Sequence, residues 1–182
     1  VEENQIDRIS GFEGKHGLYD DLASGDVPAY SFIAPNQCND QHGRGNAGPQ
    51  CDYDPNDNGT QTGLNPALIY LGDQALRTIV KAIKASPVWS KGHNAIVVLW
   101  DENDYSYAPI VNQVLTIVDK NYGPQGVKSN IFYTHFSLLR TLEGGFGLPC
   151  LNHACDAATA TMSDLFSSGR DHDGDYDRDD WH

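Results

Sequence analysis

Positive charge is scarce in this chain. Twelve Lys and Arg face 25 Asp and Glu in 182 residues, a formal net charge of −13 with His neutral. Binding a phosphate backbone needs a basic surface, so the balance argues against a nucleic-acid partner. An anionic substrate would need a local cation instead. Long apolar runs are also missing. No stretch approaches the roughly 20 apolar residues that cross a bilayer, and no basic segment leads into an apolar one at the start; a soluble chain without stable membrane insertion is expected. None of the four Cys has the C-x-x-C spacing of a zinc knuckle. They fall instead into two close pairs, and the local pairings Cys38–Cys51 and Cys150–Cys155 are expected to be disulfides. Asn58-Gly59-Thr60 is a glycosylation sequon, so an N-glycan at Asn58 agrees with oxidised cysteines in pointing to a secreted, extracellular protein.

The length fits one domain, 1–167, with an acidic C-terminal tail at 168–182. Leu18 to Ser24 reads as a short helix stopped by Gly25, and 28–34 as a strand closed by Pro35. Residues 36–63, dense in Asn, Asp, Gly and Gln, form a connection too long to be ordinary; it is expected to be functional or stapled by Cys38–Cys51. Asn65-Pro66 opens a helix in which Leu68, Ala75, Leu76, Ile79, Val80 and Ile83 recur at helical spacing until Ser86-Pro87. Further apolar runs lie at 95–100, 114–118 and 130–133, with helices predicted over 137–143 and 156–166. Alternating strands and helices predict an α/β fold with a mostly parallel central sheet flanked by helices. The stretch from Asp171 holds six aspartates in twelve residues. It reads as a solvated tail, because it lacks the bidentate glutamate that ends an EF-hand calcium loop.

Chemistry points to the end of one strand. Ala95-Ile96-Val97-Val98-Leu99-Trp100 is a continuous, largely β-branched apolar run, as expected of a strand buried on both faces. It stops abruptly at Asp101-Glu102-Asn103-Asp104. Ligands of parallel α/β sheets bind beyond the carboxyl ends of strands, and a cation relieves the repulsion of adjacent carboxylates most simply. The alternative is a solvated acidic turn after a core strand.

Three segments, PAYSFIAPNQCNDQHG, AIVVLWDENDYS and THFSLLRTLEGGFGLPCL, occur in that order with a helix between the first two. In combination, over roughly residues 18–166, they resemble the phosphoesterase family of acid phosphatases and bacterial phospholipases C, most closely its secreted fungal members. The resemblance implies an alkaline-phosphatase-like fold. It implies that Asp101 and Glu102 help hold an active-site divalent metal, that Asp40 and His42 lie near the phosphate with Asn39 beside them, and that His42 donates to a phosphoryl oxygen or protonates the leaving group. His135 matches a recurring family histidine that either lines the site or caps the helix. Glu3 and Asn4 stand where the family's N-terminal Glu-Asn metal pair is expected; the equal alternative is that Val1 to Ser10 is a remnant of the helix preceding Gly11-Phe12-Glu13-Gly14.

The chain also departs from the family's pattern, and its acidic tail has no match there. The dozen residues after Glu3-Asn4 are too few to hold the family's Ser or Thr nucleophile segment, and GKH followed at once by GLYDDL is abridged relative to the family, so no nucleophile is assigned and a fragment of a longer chain is expected. The implied activity is metal-assisted hydrolysis of a small phosphate ester through a Ser or Thr phosphoenzyme, acid-phosphatase-like. Ca, Mg, Mn and Zn are not distinguished. A phospholipase C-type phosphodiesterase is the enzymatic alternative, and an inactive secreted fragment or metal- or glycan-binding homologue is the alternative of another class.

Overall fold

A computed structural model of the chain describes residues 9–41, 66–103 and 112–168. It divides the chain into two compact units. One contains the chain up to Gly92 together with Trp100–Leu115, and the other contains His93–Leu99 with the chain from Thr116 onward. The expected acidic tail lies outside the described residues, apart from Ser168.

The first unit is built on two helices, α1 (Leu18–Ser24) and α2 (Pro66–Ala85). Proline at the first helical position costs no hydrogen bond and presets φ. From there Leu68 and Ile79 project from α2 into the core, where both are buried, and α1, whose Leu22 is also buried, packs against this helix. The stop signals act as read. Gly25 adopts the left-handed conformation at φ 80° and donates its N–H to Asp21 O at 2.9 Å. A Cβ at Gly25 would also come within 3.0 Å of Pro87 Cγ. At the other helix end, the Ser86 N–H donates to the carbonyls of Ala82 and Ile83, both at 3.1 Å, before Pro87 turns the chain away.

The second unit contains a two-stranded sheet of β1 (Ala95–Leu99) and β2 (Thr116–Lys120). The strands are antiparallel, with Ala95 opposite Lys120 and Leu99 opposite Thr116. This corrects the expected mostly parallel sheet as far as the described residues go. A parallel neighbour needs a crossover, usually through a helix, whereas an antiparallel one needs only a loop, and both described ends of the connection, 100–103 and 112–115, are irregular. The ladder extends past β1, where Asn121 Oδ1 accepts the Asn94 N–H at 2.8 Å and the Asn121 N–H returns to Asn94 O at 3.0 Å. Ile96 to Leu99 are half-buried rather than enclosed on both faces.

Two expected strands, 28–34 and 130–133, are irregular, and Phe32 and Phe132 stand 82% and 85% exposed. Their apolar residues suit a pleated surface, but among the described residues they have no ladder partner. The helix predicted over 137–143 is longer, α3 (His135–Gly145), and it absorbs Gly144 and Gly145. In place of a helix over 156–166 stand a 3₁₀ turn (Asn152–Cys155) and the short α4 (Ser163–Phe166).

Backbone anchors explain that replacement. Arg140 Nη1 donates to the carbonyls of Asp156 at 2.8 Å and Thr159 at 2.7 Å, and Thr141 Oγ1 accepts the Met162 N–H at 2.8 Å. The carbonyls and N–H concerned serve α3 rather than a helical ladder. The Cys150–Cys155 disulfide forms as expected, with its Cα atoms 5.2 Å apart. Tyr133 Oη donates to Asp164 Oδ1 at 2.5 Å, and Lys120 Nζ donates to Ser167 O at 2.6 Å, tying α4 and the residues after it to the unit.

Candidate functional site

Asn39 and Asp40 lie on a short segment, 36–41, whose shape is dictated by Asn36. Its side-chain Oδ1 accepts the Cys38 N–H at 3.2 Å and the Asn39 Nδ2 at 2.8 Å, while its carbonyl accepts the Asn39 N–H at 2.8 Å. This is the local side-chain-to-backbone bonding that makes asparagine a turn residue. Cys38 packs against Leu68, the most buried apolar side chain of α2, with Leu71 alongside. Cys38 is disulfide-bonded, as expected, and its expected partner Cys51 lies outside the described residues. Asn39 and Asp40 are half-buried. The next residue, Gln41, takes the left-handed conformation at φ 65°, which is uncommon for a residue with a side chain. His42, Glu3, Asn4 and the sequon at Asn58 lie outside the described residues.

Asp101 and Glu102 follow the end of β1 after Trp100, where the sequence put them, and both are exposed. Asn103, next in line, donates its N–H to Asn112 Oδ1 at 2.9 Å, which draws together the two ends of 104–111. The two carboxylates offer hard oxygen donors on adjacent residues. Among the described residues no third His, Cys, Asp or Glu joins them in a cluster of metal-ligand geometry.

His135 occupies the first turn of α3 and is exposed. The cap of this helix is made by its neighbours: Ser137 Oγ accepts the Thr134 N–H at 3.1 Å, and the Ser137 N–H donates to Thr134 O at 2.9 Å. Capping is therefore the work of Thr134 and Ser137. His135 belongs to the second unit, whereas Asn39, Asp40, Asp101 and Glu102 belong to the first.

One grouping escaped the sequence reading. His16, Asp20 and Asp21 bring their ligand-type atoms within 4.8 Å of one another at the start of α1. The His16 N–H donates to Asp20 Oδ2 at 3.0 Å, and His16 Nδ1 stands 3.9 Å from Asp21 Oδ1. His16 is 70% exposed, so this is a solvated polar cluster that fixes the approach to the helix. Its signal in the sequence was a histidine four and five residues before two acids, but only the observed turn at 16 (φ 60°) lets the three meet.

Elsewhere, electrostatics mark the second unit. Burial lowers the Lys120 ammonium from its ordinary pKa, with the Tyr122 ring 5.1 Å from Nζ as its aromatic neighbour. Burial works to raise the Asp164 carboxyl, but hydrogen bonds from Ser129, Tyr133 and the Leu165 and Asp164 N–H groups outweigh it and leave the group below its ordinary value. Tyr133 is raised, first by burial and then by its bond to Asp164.

No family model and no solved structure matches the chain. Over 138 residues it is 28% identical to a phosphate-repressible acid phosphatase of Penicillium chrysogenum, a likeness covering 74% of this chain and 27% of that protein. The chain thus spans about a quarter of the length of this curated relative. What the chain is similar to, at this distance, is a phosphatase.

Proposed function

We propose that the chain is part of a secreted, metal-dependent phosphoric ester hydrolase, an acid-phosphatase-like phosphomonoesterase whose complete fold is alkaline-phosphatase-like. The observation that carries this reading is the likeness to a fungal acid phosphatase over 138 residues. Asp101 and Glu102, exposed carboxylates just beyond the end of a β-strand, are its metal ligands. Their hard oxygen donors fit Mg, Ca or Mn, and Glu3 and Asn4 would complete the set. When bound, such a metal stabilises charge on the phosphoryl oxygens and lowers the pKa of a nucleophilic hydroxyl, together on the order of several kcal/mol of barrier.

The chain's own residues have simpler tasks. Asn39 and Asp40 orient the phosphate from the segment seated on α2, and His42 gives a proton to the leaving oxygen. The hydroxyl that accepts the phosphoryl group is assigned to no position. N-glycosylation at Asn58 accompanies secretion in this reading.

A second reading is favoured by the exposure of Asp101 and Glu102 without a third described ligand group beside them. In that case the chain is an inert secreted module that binds metal or glycan. Intact mass after deglycosylation, followed by p-nitrophenyl phosphate turnover with and without EDTA, separates the two. Turnover that EDTA abolishes, and that Asp101→Asn or Glu102→Gln lowers by about 100-fold or more, supports the phosphomonoesterase. A 20.0 kDa species without turnover in added Mg, Mn, Ca or Zn leaves the inert module. Release of phosphocholine from a choline lipid in preference to p-nitrophenyl phosphate hydrolysis would point to a phospholipase C-type phosphodiesterase.

A further inference from the structure

Gly72 is buried within α2, where an alanine would serve the helix better. A Cβ built on it would lie 2.2 Å from Gln41 Cγ, 2.8 Å from Gln41 N and 3.1 Å from Gln41 Cα. The side-chain atom could swing aside, but the backbone atoms could not without moving the segment. Four residues earlier on the same helix, Leu68 receives Cys38. Positions i and i+4 share a helix face, so 36–41 is held at two points one helical turn apart. Asn39 and Asp40 lie between those points, and Asn36 ties off the start of the segment with its three hydrogen bonds. The left-handed φ of 65° at Gln41 forms the second contact.

We propose that Gly72 is a positioning residue: by lacking a side chain it seats left-handed Gln41 directly on α2, and this seat holds Asn39 and Asp40 where they meet the substrate phosphate. The role rests on the phosphomonoesterase reading. Gln41 serves through its backbone, and its amide group plays no part.

The test uses the full natural protein and the variants Gly72→Ala, Gln41→Asn and Gln41→Val. Asparagine tolerates the left-handed region, whereas β-branched valine resists it. The readouts are kcat and KM for p-nitrophenyl phosphate and hydrogen exchange of the 38–41 amides. Gly72→Ala and Gln41→Val are expected to speed that exchange about 10-fold and to lower kcat by about 10- to 100-fold with KM within about 2-fold, the scale of a sub-ångström to 1 Å misplacement. Gln41→Asn is expected to stay near the parent in both. Gln41→Val leaves α2 unaltered and carries the test if Gly72→Ala does not fold.

Unchanged exchange in Gly72→Ala and Gln41→Val overturns the seat. Faster exchange with unchanged kcat overturns the positioning role. Equal losses in Gln41→Asn and Gln41→Val overturn it too, because they would make the amide itself the working group. Absence of turnover in the unsubstituted protein removes the phosphomonoesterase reading and the positioning role with it, whereas parent turnover with unmoved exchange in the variants removes the positioning role alone.

Discussion

Replacing Glu143 by methionine should stabilise the chain. Glu143 lies in the last turn of α3 and is 4% exposed, and among the described residues neither carboxyl oxygen has a hydrogen-bond partner. A buried acceptor left unmade costs about 1–3 kcal/mol, and more when charged. A negative side chain near a helix C-terminus opposes the dipole by about 0.3–1 kcal/mol. Methionine has nearly the same length, makes no polar demand and matches glutamate in helix propensity, so the backbone contribution cancels. The sum is a gain of about 2 kcal/mol. With an m value of about 2 kcal/mol/M, the urea midpoint should rise by about 1 M. Glu143→Gln, which removes the charge but leaves an amide to be satisfied, should recover less than Glu143→Met. The measurement is a urea titration of all three proteins at pH 7, followed by circular dichroism. An unchanged or lowered midpoint for Glu143→Met would refute the reasoning, since it would mean the carboxyl finds a donor in solution.

Tyr133→Phe should cost about 1.5–3 kcal/mol at pH 7, the range for a hydrogen bond to a charged group. Asp164 lies below its ordinary value in the folded chain, so its contribution is fully present above the unfolded pKa of about 3.9 and is lost as pH falls through the lower folded value. The gap between parent and Tyr133→Phe in urea melts should therefore narrow below about pH 4, and a gap constant from pH 7 to pH 2.5 would show that the carboxylate charge is irrelevant. Gly144→Ala behaves oppositely to Gly72→Ala: a Cβ at 144 meets nothing within 4 Å, so thermal melts should show a gain of about 0.5–1 kcal/mol from helix propensity alone. A loss there would mean that α3 needs flexibility at its end.

Local signals carried the two helices of the first unit, but not the helix expected over 156–166. Gly25 after Ser24, Pro66 at the head of α2, and Ser86-Pro87 at its end each act through their own backbone, and the structure places each stop where the residue type demands it. Strand existence at 95–99 was legible for the same reason. Strand direction was not, because antiparallel pairing with 116–120 depends on what 100–115 does rather than on either strand's composition. Segments 28–34 and 130–133 show the limit of pattern. Tyr30, Phe32, Ile131 and Phe132 have strand chemistry, yet a strand is made by its neighbour. At the candidate site the position of Asp101 and Glu102 after a strand could be read. The seat on Gly72 could not, since it arises from a glycine 31 positions later in sequence than Gln41 and from a φ value that glutamine gives no reason to expect.

The aromatic side chains that stand outside the core bear on how this protein behaves in bulk. At neutral pH the surplus of carboxylates repels one molecule from the next and keeps Phe32 and Phe132 of separate molecules apart. The charge vanishes near the isoelectric point of about 4.6, inside the acid range where a phosphatase of the proposed kind would be assayed. There the same rings become adhesive, so turbidity should peak close to that pH and fall again on either side. A loss of activity in mild acid would then report a colloidal event before it reports the titration of any group in the site.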